Sequence, residues 1–407
     1  MARPSPFDRT RQALERLAGD AEGLGSEIQV GRHRVPVLTG EFWTSRQRQA
    51  SSLHEVSYRA CYKPQLPRHF ILALTEPGER VLDPFGGRGT TAIEAALLGR
   101  CIASNDVNPL SRLLAAPRLA LPDPRAITQR LEDIPKAGAD ADGLSLDMFY
   151  HPDTESELRA LRAWLLERES RGTEDAVDRW IRMVATNRLT GHSPGFFSVY
   201  TLPPNQAVTA EKQRQINAKR NQVPPYRDTH GLIAKKTRQL LSDVTDGDRD
   251  NLASADGRWL TGDARNLDLP PDSVALTVTS PPFLDVVQYA ADNWLRCWFN
   301  GLDAEVIGRG ITMARTLEAW SAVMGPVFHE LFRVTRPGGH VAFEVGEVRK
   351  GTVRLEETVL PLGLAAGFEP LGVLINAQTF TKTAHIWGVD NMEAGTNSNR
   401  IVVFRKP

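Results

Sequence analysis

The chain predicts an α/β fold in which a wound sheet is interrupted by a mainly helical insertion. Three observations carry this. A short strand signal at Val81 and Leu82 runs through a glycine-rich turn into a helical pattern. A second buried strand, Val274 to Val278, stops at a double proline, and the long stretch between the two has helical apolar spacing.

The first unit starts at Arg80, passes through Asp83-Pro84-Phe85-Gly86-Gly87-Arg88-Gly89-Thr90-Thr91 and continues as a helix over Thr90 to Leu98. Gly99 and Arg100 close that helix, and Cys101 to Ser104 lead to Asp106, about 20 residues past the start of the loop, so a βαβ unit begins here. Beyond Asn108-Pro109 the pattern breaks at Pro117, Pro122, Pro124 and Pro135, and Ala137 to Gly143 reads as linker. Amphipathic helices are expected over Thr154 to Arg168, with Leu158, Leu161, Trp164 and Leu165 on one face, and over Glu174 to Leu189.

The sheet signature returns at Trp259-Leu260, with helices expected over Val286 to Phe299, Leu317 to Val334 and Glu356 to Ala366. Strands are expected at His340 to Val345, after the turn Arg336 to Gly339, and then at Leu371 to Asn376 and Arg400 to Phe404. The expected organisation is an N-terminal arm (1–49), one sheet domain split between 50–120 and 258–407, and an inserted region (121–257).

Of 407 residues 41% are apolar and 24% charged, and no apolar run approaches the roughly 18 residues of a membrane span. Met1 to Thr10 mixes Arg3, Asp8 and Arg9 with two prolines and lacks an apolar core, so no secretory signal is expected and the cytoplasm is the expected compartment. Cys61, Cys101 and Cys297 are far apart, His192 and His230 stand alone, and no metal is expected.

The loop has the chemistry of a nucleotide-type site. Gly87 and Gly89 let backbone approach a ligand, and Thr90 and Thr91 open a helix whose free N–H groups favour an anion. Asp83 and Asp106, at strand ends, add acceptors for ammonium and hydroxyl groups. Ser280-Pro281-Pro282-Phe283 must leave the sheet as a rigid extended turn, because proline cannot continue a ladder. There the Ser280 hydroxyl and a proline carbonyl can accept hydrogen bonds from a planar amino group, and Phe283 offers a face for stacking.

These strings resemble those of the S-adenosylmethionine-dependent DNA amino-methyltransferases, whose loop reads DPFxGxGTT and whose catalytic motif reads (S/N/D)PP(Y/F/W). The resemblance implies a Rossmann-like class I methyltransferase sheet, S-adenosyl-L-methionine as cofactor, Asp83, Pro84, Phe85, Gly87, Gly89, Thr90 and Thr91 around it, and Ser280, Pro281, Pro282 and Phe283 as the catalytic turn. His54 to Ile71 resembles the family's segment over the methionine part of the cofactor, with Tyr58, Lys63 and Pro64 as contacts. Asp106 resembles its ribose-binding acid and Asp263 the acid beside the adenine ring. A cofactor loop, then a recognition region, then a catalytic motif is the α-group order.

Serine at the first catalytic position implies N4-cytosine as target, with N6-adenine as the alternative; an RNA amino-methyltransferase and a non-catalytic nucleic-acid-binding protein are further alternatives. Double-stranded DNA is the expected partner, with the target cytosine rotated out of the stack. A cognate restriction endonuclease is a further possible partner.

Between Arg188 and Arg238 nine basic residues, Arg188, Lys212, Arg214, Lys219, Arg220, Arg227, Lys235, Lys236 and Arg238, face only Glu211 and Asp228. In a chain of zero formal charge this predicts a phosphate-binding surface. Interleaved amides at Gln213, Gln215, Asn217, Asn221 and Gln222 are suited to base edges. The Phe196, Phe197 and Tyr200 cluster reads as packing.

Overall fold

A computed structural model describes residues 13–18, 24–43, 50–58, 61–137, 143–201, 207–282, 289–311, 314, 316–345, 354–377 and 398–407. Phe283 and Met1 to Thr10 lie outside the described residues. Among the described residues nine strands form one sheet: β1 (Leu24–Val30), β2 (His33–Gly40), β3 (Arg80–Asp83), β4 (Cys101–Asp106), β5 (Gly257–Thr261), β6 (Val274–Thr279), β7 (Thr335–Val345), β8 (Glu369–Ala377) and β9 (Ser398–Arg405).

Their spatial order is β1-β2-β8-β9-β7-β6-β3-β4-β5. Strands β5, β4, β3, β6 and β7 are parallel, and β9 runs antiparallel between β7 and β8. The sheet is doubly wound and Rossmann-like, as the sequence predicts, with helices between its strands. The chain leaves β3 toward β4 on one side and later returns to β6 on the other, so the switch point lies between β3 and β6.

Alternation along each strand divides the core between two faces. Val81, Leu276, Val278, Ala342, Ile401 and Val403 point to one face, and Leu82, Val341, Phe343, Val402 and Phe404 to the other. The second face is covered by the helices Leu317–Val334 and Leu355–Ala366, which bring Trp320, Phe328, Leu331 and Val359.

The first face carries the insertion. Between β4 and β5 lie helices at Pro124–Asp133, Pro152–Ser170, Ala176–Arg188, Ala210–Arg220, Thr229–Leu240 and Asp246–Ser254. Leu158 and Leu161, Trp180 and Val184, Ile233 and Leu240 belong to the same apolar cluster as Val81 and Ile93. The insertion is therefore a layer packed on the sheet, sharing its core. Its central helix Ala176–Arg188 starts with a capping box between Asp175 and Asp178 and is buried at every position from Trp180 to Arg188.

Residues 24–40, expected in an N-terminal arm, instead form the hairpin of β1 and β2, which joins the sheet through parallel pairing of β2 with β8. The Arg336 to Gly339 turn lies within the first residues of β7, where Gly338 takes φ +77°. Among the described residues no helix is long and apolar enough to cross a membrane.

Candidate active site

Two strings 190 or so positions apart end on neighbouring strands, for Val81 and Leu82 of β3 pair with Leu276 and Thr277 of β6. Asp83 and Thr279 thus stand side by side. The Thr279 hydroxyl donates to Asp83 Oδ1 at 2.6 Å, and the Tyr62 hydroxyl donates to Asp83 Oδ2 at 2.7 Å. Tyr62 also lies 2.5 Å from the Thr91 hydroxyl, which donates to the Val278 carbonyl at 3.1 Å. Asp83 is 1% exposed and does not line the cleft, so its carboxylate joins the two motifs from behind. Burial pushes its carboxyl up, against the hydrogen bonds from Thr279 and Tyr62.

The loop is shaped by close backbone approach. A Cβ at Gly86 would lie 2.3 Å from the Ser104 hydroxyl, and Gly86 N–H donates to the Asn105 carbonyl at 2.8 Å. Gly89 caps the helix Thr90–Leu97 at φ +78°, where a Cβ would fall 2.5 Å from that of Ala115. Gly87, at φ +52°, donates its N–H to Asp106 Oδ2 at 2.8 Å.

Around this edge opens a cleft of about 1160 Å³, counting its open side. Its walls include Tyr58, Tyr62, Pro84, Phe85, Gly87, Thr90, Asp106, Asp263, Ser280 and Pro282, all but Tyr62 expected from the sequence. Gly89, Thr91 and Pro281 are buried behind it, and Lys63 is exposed outside it. An apolar wall of Ile311, Ala314, Trp320, Val323 and Met324 faces them from the segment after β6.

Asp106 accepts the N–H groups of Asn108 at 2.9 Å and Gly87 at 2.8 Å. Burial nonetheless raises its carboxyl to about 6. At the rim, Asp263 is held below the ordinary range by its pair with Arg265, whose Nε donates at 2.9 Å. Buried Asn105 ties the loops together, its amide donating to the Pro84 carbonyl at 3.2 Å and the Gly262 carbonyl at 2.9 Å.

On the other side of β3, Ser280 follows Thr279, whose partner in β7 is Phe343, so Ser280 comes beside Glu344. The Ser280 hydroxyl donates to the Glu344 carboxylate, and the Asn399 amide donates to Glu344 Oε1 at 2.6 Å. Burial pushes Glu344 above the usual carboxylate range. The Pro282 carbonyl accepts the Trp320 indole N–H at 3.0 Å.

Tyr62, Asn105, Glu344 and Trp320 were not expected in the site. Tyr62 was open to inference, because it sits between the expected contacts Tyr58 and Lys63. Glu344 depends on strand order, which no local pattern reveals.

The expected basic surface is divided. Lys212, Arg214, Lys219, Arg220, Lys235 and Arg238 are exposed, with Arg220 stacked 3.7 Å from the Tyr200 ring centre. Arg188 is corrected to an interior residue: it is 8% exposed, lies 4.1 Å over the Phe196 ring, and donates to Asn187. Lys236, 6% exposed and paired with Glu55 at 3.1 Å, is likewise unavailable to phosphate. Arg227 is half-buried, its N–H donating to the Thr154 hydroxyl at 2.7 Å.

Three of the amides turn inward as well. Gln213 and Gln222 donate to the Tyr200 carbonyl at 3.0 and 2.9 Å, and Asn217 donates to the Met148 carbonyl at 2.8 Å. Phe197 is fully buried, and Phe196 packs on Gly191, in line with the packing role expected of them.

Comparison with known proteins finds no match among curated proteins. Among solved structures the chain is similar to TrmN from Thermus thermophilus, at 14% identity and TM-score 0.31 over 86% of this chain and 50% of that one. It is also similar to an rRNA methyltransferase, aviRa from Streptomyces viridochromogenes, at 11% identity and TM-score 0.33 over 88% of this chain and 90% of that one. A third likeness is to TTHA0409, also from Thermus thermophilus, described as a putative DNA modification methylase and solved with S-adenosyl-L-methionine, at 25% identity and TM-score 0.23 over 36% of this chain. The chain spans about half the length of TrmN and of TTHA0409, 50% and 51%. Residues 26–111, which carry the hairpin, the segment before the loop, the loop itself and Asp106, match the family model of the N6 and N4 methyltransferases, described as DNA methylase.

Proposed function

We propose that the protein is an S-adenosylmethionine-dependent DNA methyltransferase acting on the exocyclic N4 amino group of a cytosine turned out of the duplex. The junction of the two motifs carries the reading: Asp83 and Thr279 share a hydrogen bond of 2.6 Å, and the cleft in front of them has Asp106 on one side of β3 and Ser280 on the other. The match of residues 26–111 to the DNA methylase family supports it.

The cleft residues fit the cofactor. Gly87 presents bare backbone, Thr90 opens a helix toward a carboxylate, and the Asp106 carboxylate has acceptor capacity beyond its two N–H partners for ribose hydroxyls. Asp263 and the Ile311 to Met324 wall suit a heterocycle. Bound there, S-adenosylmethionine supplies an electrophilic methyl group.

The chain's own residues then orient the amine. Because the Ser280 hydrogen is engaged by Glu344, its oxygen lone pairs are left for an amino N–H. A proline carbonyl of the turn accepts the second N–H: that of Pro282, which lines the cleft, keeps a lone pair beside the one that takes the Trp320 indole N–H. Both N–H bonds held in this way turn the nitrogen lone pair toward the methyl, and positioning of this kind supplies several kcal/mol of barrier lowering. The proton that the amine sheds passes to the Ser280 oxygen as the Ser280 proton moves to Glu344. The exposed cations of the inserted layer hold phosphates, and Phe283 stacks on the extruded base.

The test is nucleoside mass spectrometry after incubation with plasmid DNA and S-adenosylmethionine. N4-methylcytosine is expected. N6-methyladenine overturns the choice of base, methylation of RNA alone overturns the polymer, and no methyl transfer to either overturns the enzymatic reading.

A further inference from the structure

We propose that Arg88 is a positioning residue that shapes the cofactor end of the cleft by fastening the segment Leu53 to Tyr62 onto the glycine loop. The inference rests on the reading of this cleft as an S-adenosylmethionine site. The motif DPFxGxGTT leaves the residue between the second and third glycines of DPFGGRGTT open, so the loop chemistry does not itself call for an arginine. Arg88 also does not line the cleft.

What it does is hold main chain. Its Nη1 donates to the carbonyls of His54 and Val56, both at 3.1 Å, its Nη2 to the Tyr62 carbonyl at 3.4 Å, and its Nε to the Thr90 hydroxyl at 3.1 Å. Residues 55–58 are neither helix nor strand, so their carbonyls have no ladder partners and need others when buried. The planar fork of one guanidinium meets one of them, that of Val56, together with those of His54 and Tyr62 at fixed angles, which a lysine ammonium cannot reproduce.

A second arginine completes the clamp. Arg118 is fully buried and donates to the Leu53 carbonyl at 3.0 Å, the Leu114 carbonyl at 3.1 Å and the carbonyl of Arg88 itself. Burial, and then the neighbouring Arg88 charge, lower its pKa to about 9. Among the described residues neither guanidinium meets a carboxylate. Arg118, buried and meeting only carbonyls, carries a desolvation penalty that no carboxylate among the described residues offsets. That penalty is intelligible if the path of the segment matters.

It matters because the segment delivers two walls of the cleft. The Tyr58 ring lies 3.8 Å from the position a Gly87 Cβ would take, its hydroxyl accepts from Asn108 at 3.3 Å, and Tyr62 reaches Asp83. The far side of the segment is gripped by Asn187 and Arg296, both donating to the Ser57 carbonyl, at 2.9 and 3.1 Å. Releasing Arg88 therefore frees the segment on the loop side only.

Calorimetric titration of S-adenosylmethionine into wild type, Arg88→Lys and Arg88→Ala tests this, together with hydrogen exchange of the amides at 53–62. Loss of charge-assisted bonds to three carbonyls is expected to weaken cofactor binding by at least about tenfold in Arg88→Ala, with partial recovery in Arg88→Lys. The single-turnover rate at saturating cofactor and the affinity for duplex DNA are expected to stay within about twofold of wild type. Exchange at 53–62 is expected to rise in both variants while exchange in β6 and β7 does not.

Unchanged cofactor affinity, or unchanged exchange at 53–62, overturns the clamp. If Arg88→Ala does not fold, Arg88→Lys carries the same two outcomes. Wild type that fails to bind S-adenosylmethionine overturns instead the reading of the site, and the exchange measurement still decides whether Arg88 holds the segment.

Discussion

The carboxyl edge of the sheet and the inserted helical layer both bury polar side chains, but the two networks end differently. In the layer they close on themselves: Asp178, fully buried, takes Arg130 and Arg168, and Arg182 takes Glu169 at 2.8 Å and Glu174 at 3.2 Å. At the sheet edge each chain of bonds runs out into the cleft. Tyr62, a wall of the cleft, and Thr279, the residue before Ser280, both bond to Asp83, and Glu344 holds Ser280 from the next strand. A closed network fixes a shape, whereas an open one leaves acceptor capacity facing a ligand. The difference fits the proposed chemistry at the edge and support in the layer.

The strongest way to break that contrast is at the open end. Ser280→Ala removes the proposed acceptor for the amino group and is expected to lower the single-turnover rate by roughly two to three orders of magnitude. Calorimetry should find S-adenosylmethionine affinity nearly unchanged, since the hydroxyl sits on the β6 side of the cleft. An undiminished rate would remove the serine from the mechanism.

Glu344→Gln keeps the shape and abolishes the proton acceptor, for an expected loss of roughly tenfold to a hundredfold. Its pH signature is specific. Burial holds Glu344 above the usual carboxylate range, and only the ionised form accepts a proton. The wild-type rate should therefore climb as pH rises through that raised pKa and then level off, while the Gln variant shows no such limb. The groups facing Glu344 from β6 and β9, Ser280 and Asn399, are neutral, and the Tyr62 phenol, which feels its charge, is itself pushed well up by burial. A limb that persists in Glu344→Gln would assign it to another group.

The edge was legible in the sequence because its strings are local. A strand, a glycine turn and a helix follow one another between Arg80 and Leu97, and a double proline must end a strand wherever that strand lies. The helices at Pro152–Ser170 and Ala176–Arg188 were legible for the same reason, from their apolar spacing. The hairpin of β1 and β2 was missed, although Glu27 to Leu38 alternates around Gly31-Arg32; its place in the sheet depends on Val37 meeting Val373. Counting charges misled at Arg188 and Lys236. A count has no direction, and both side chains are buried, Arg188 over Phe196 and Lys236 against Glu55.

Arg188, set against the exposed Lys219 and Arg220, sharpens the comparison at smaller amplitude. If Lys219 and Arg220 hold phosphates, their replacement by alanine should weaken duplex binding and flatten the dependence of log K on log salt by about 0.9 for each phosphate no longer neutralised. Arg188→Ala should leave that slope alone and instead lower the melting temperature, because it empties a buried position over the Phe196 ring. Binding measured from low to moderate salt, alongside thermal unfolding, separates the two effects. A slope change in Arg188→Ala would return it to the DNA surface.

The smallest expected effect concerns Asp106, whose protonation falls near neutrality. Burial raises its folded pKa to about 6, against the N–H groups of Asn108 and Gly87. A carboxyl with a folded pKa above its unfolded value favours folding at low pH, and this contribution is lost as pH rises toward 6. Cofactor affinity should move the other way, because the ionised carboxylate is the better acceptor for two hydroxyls. Between about pH 5 and pH 7 the free protein should thus lose a little stability while S-adenosylmethionine binds a few-fold more tightly. Asp106→Asn should flatten both trends. Opposed slopes in one residue would mark an acid held in readiness for a ligand, whereas parallel slopes would place Asp106 with the closed, supporting carboxylates of the inserted layer.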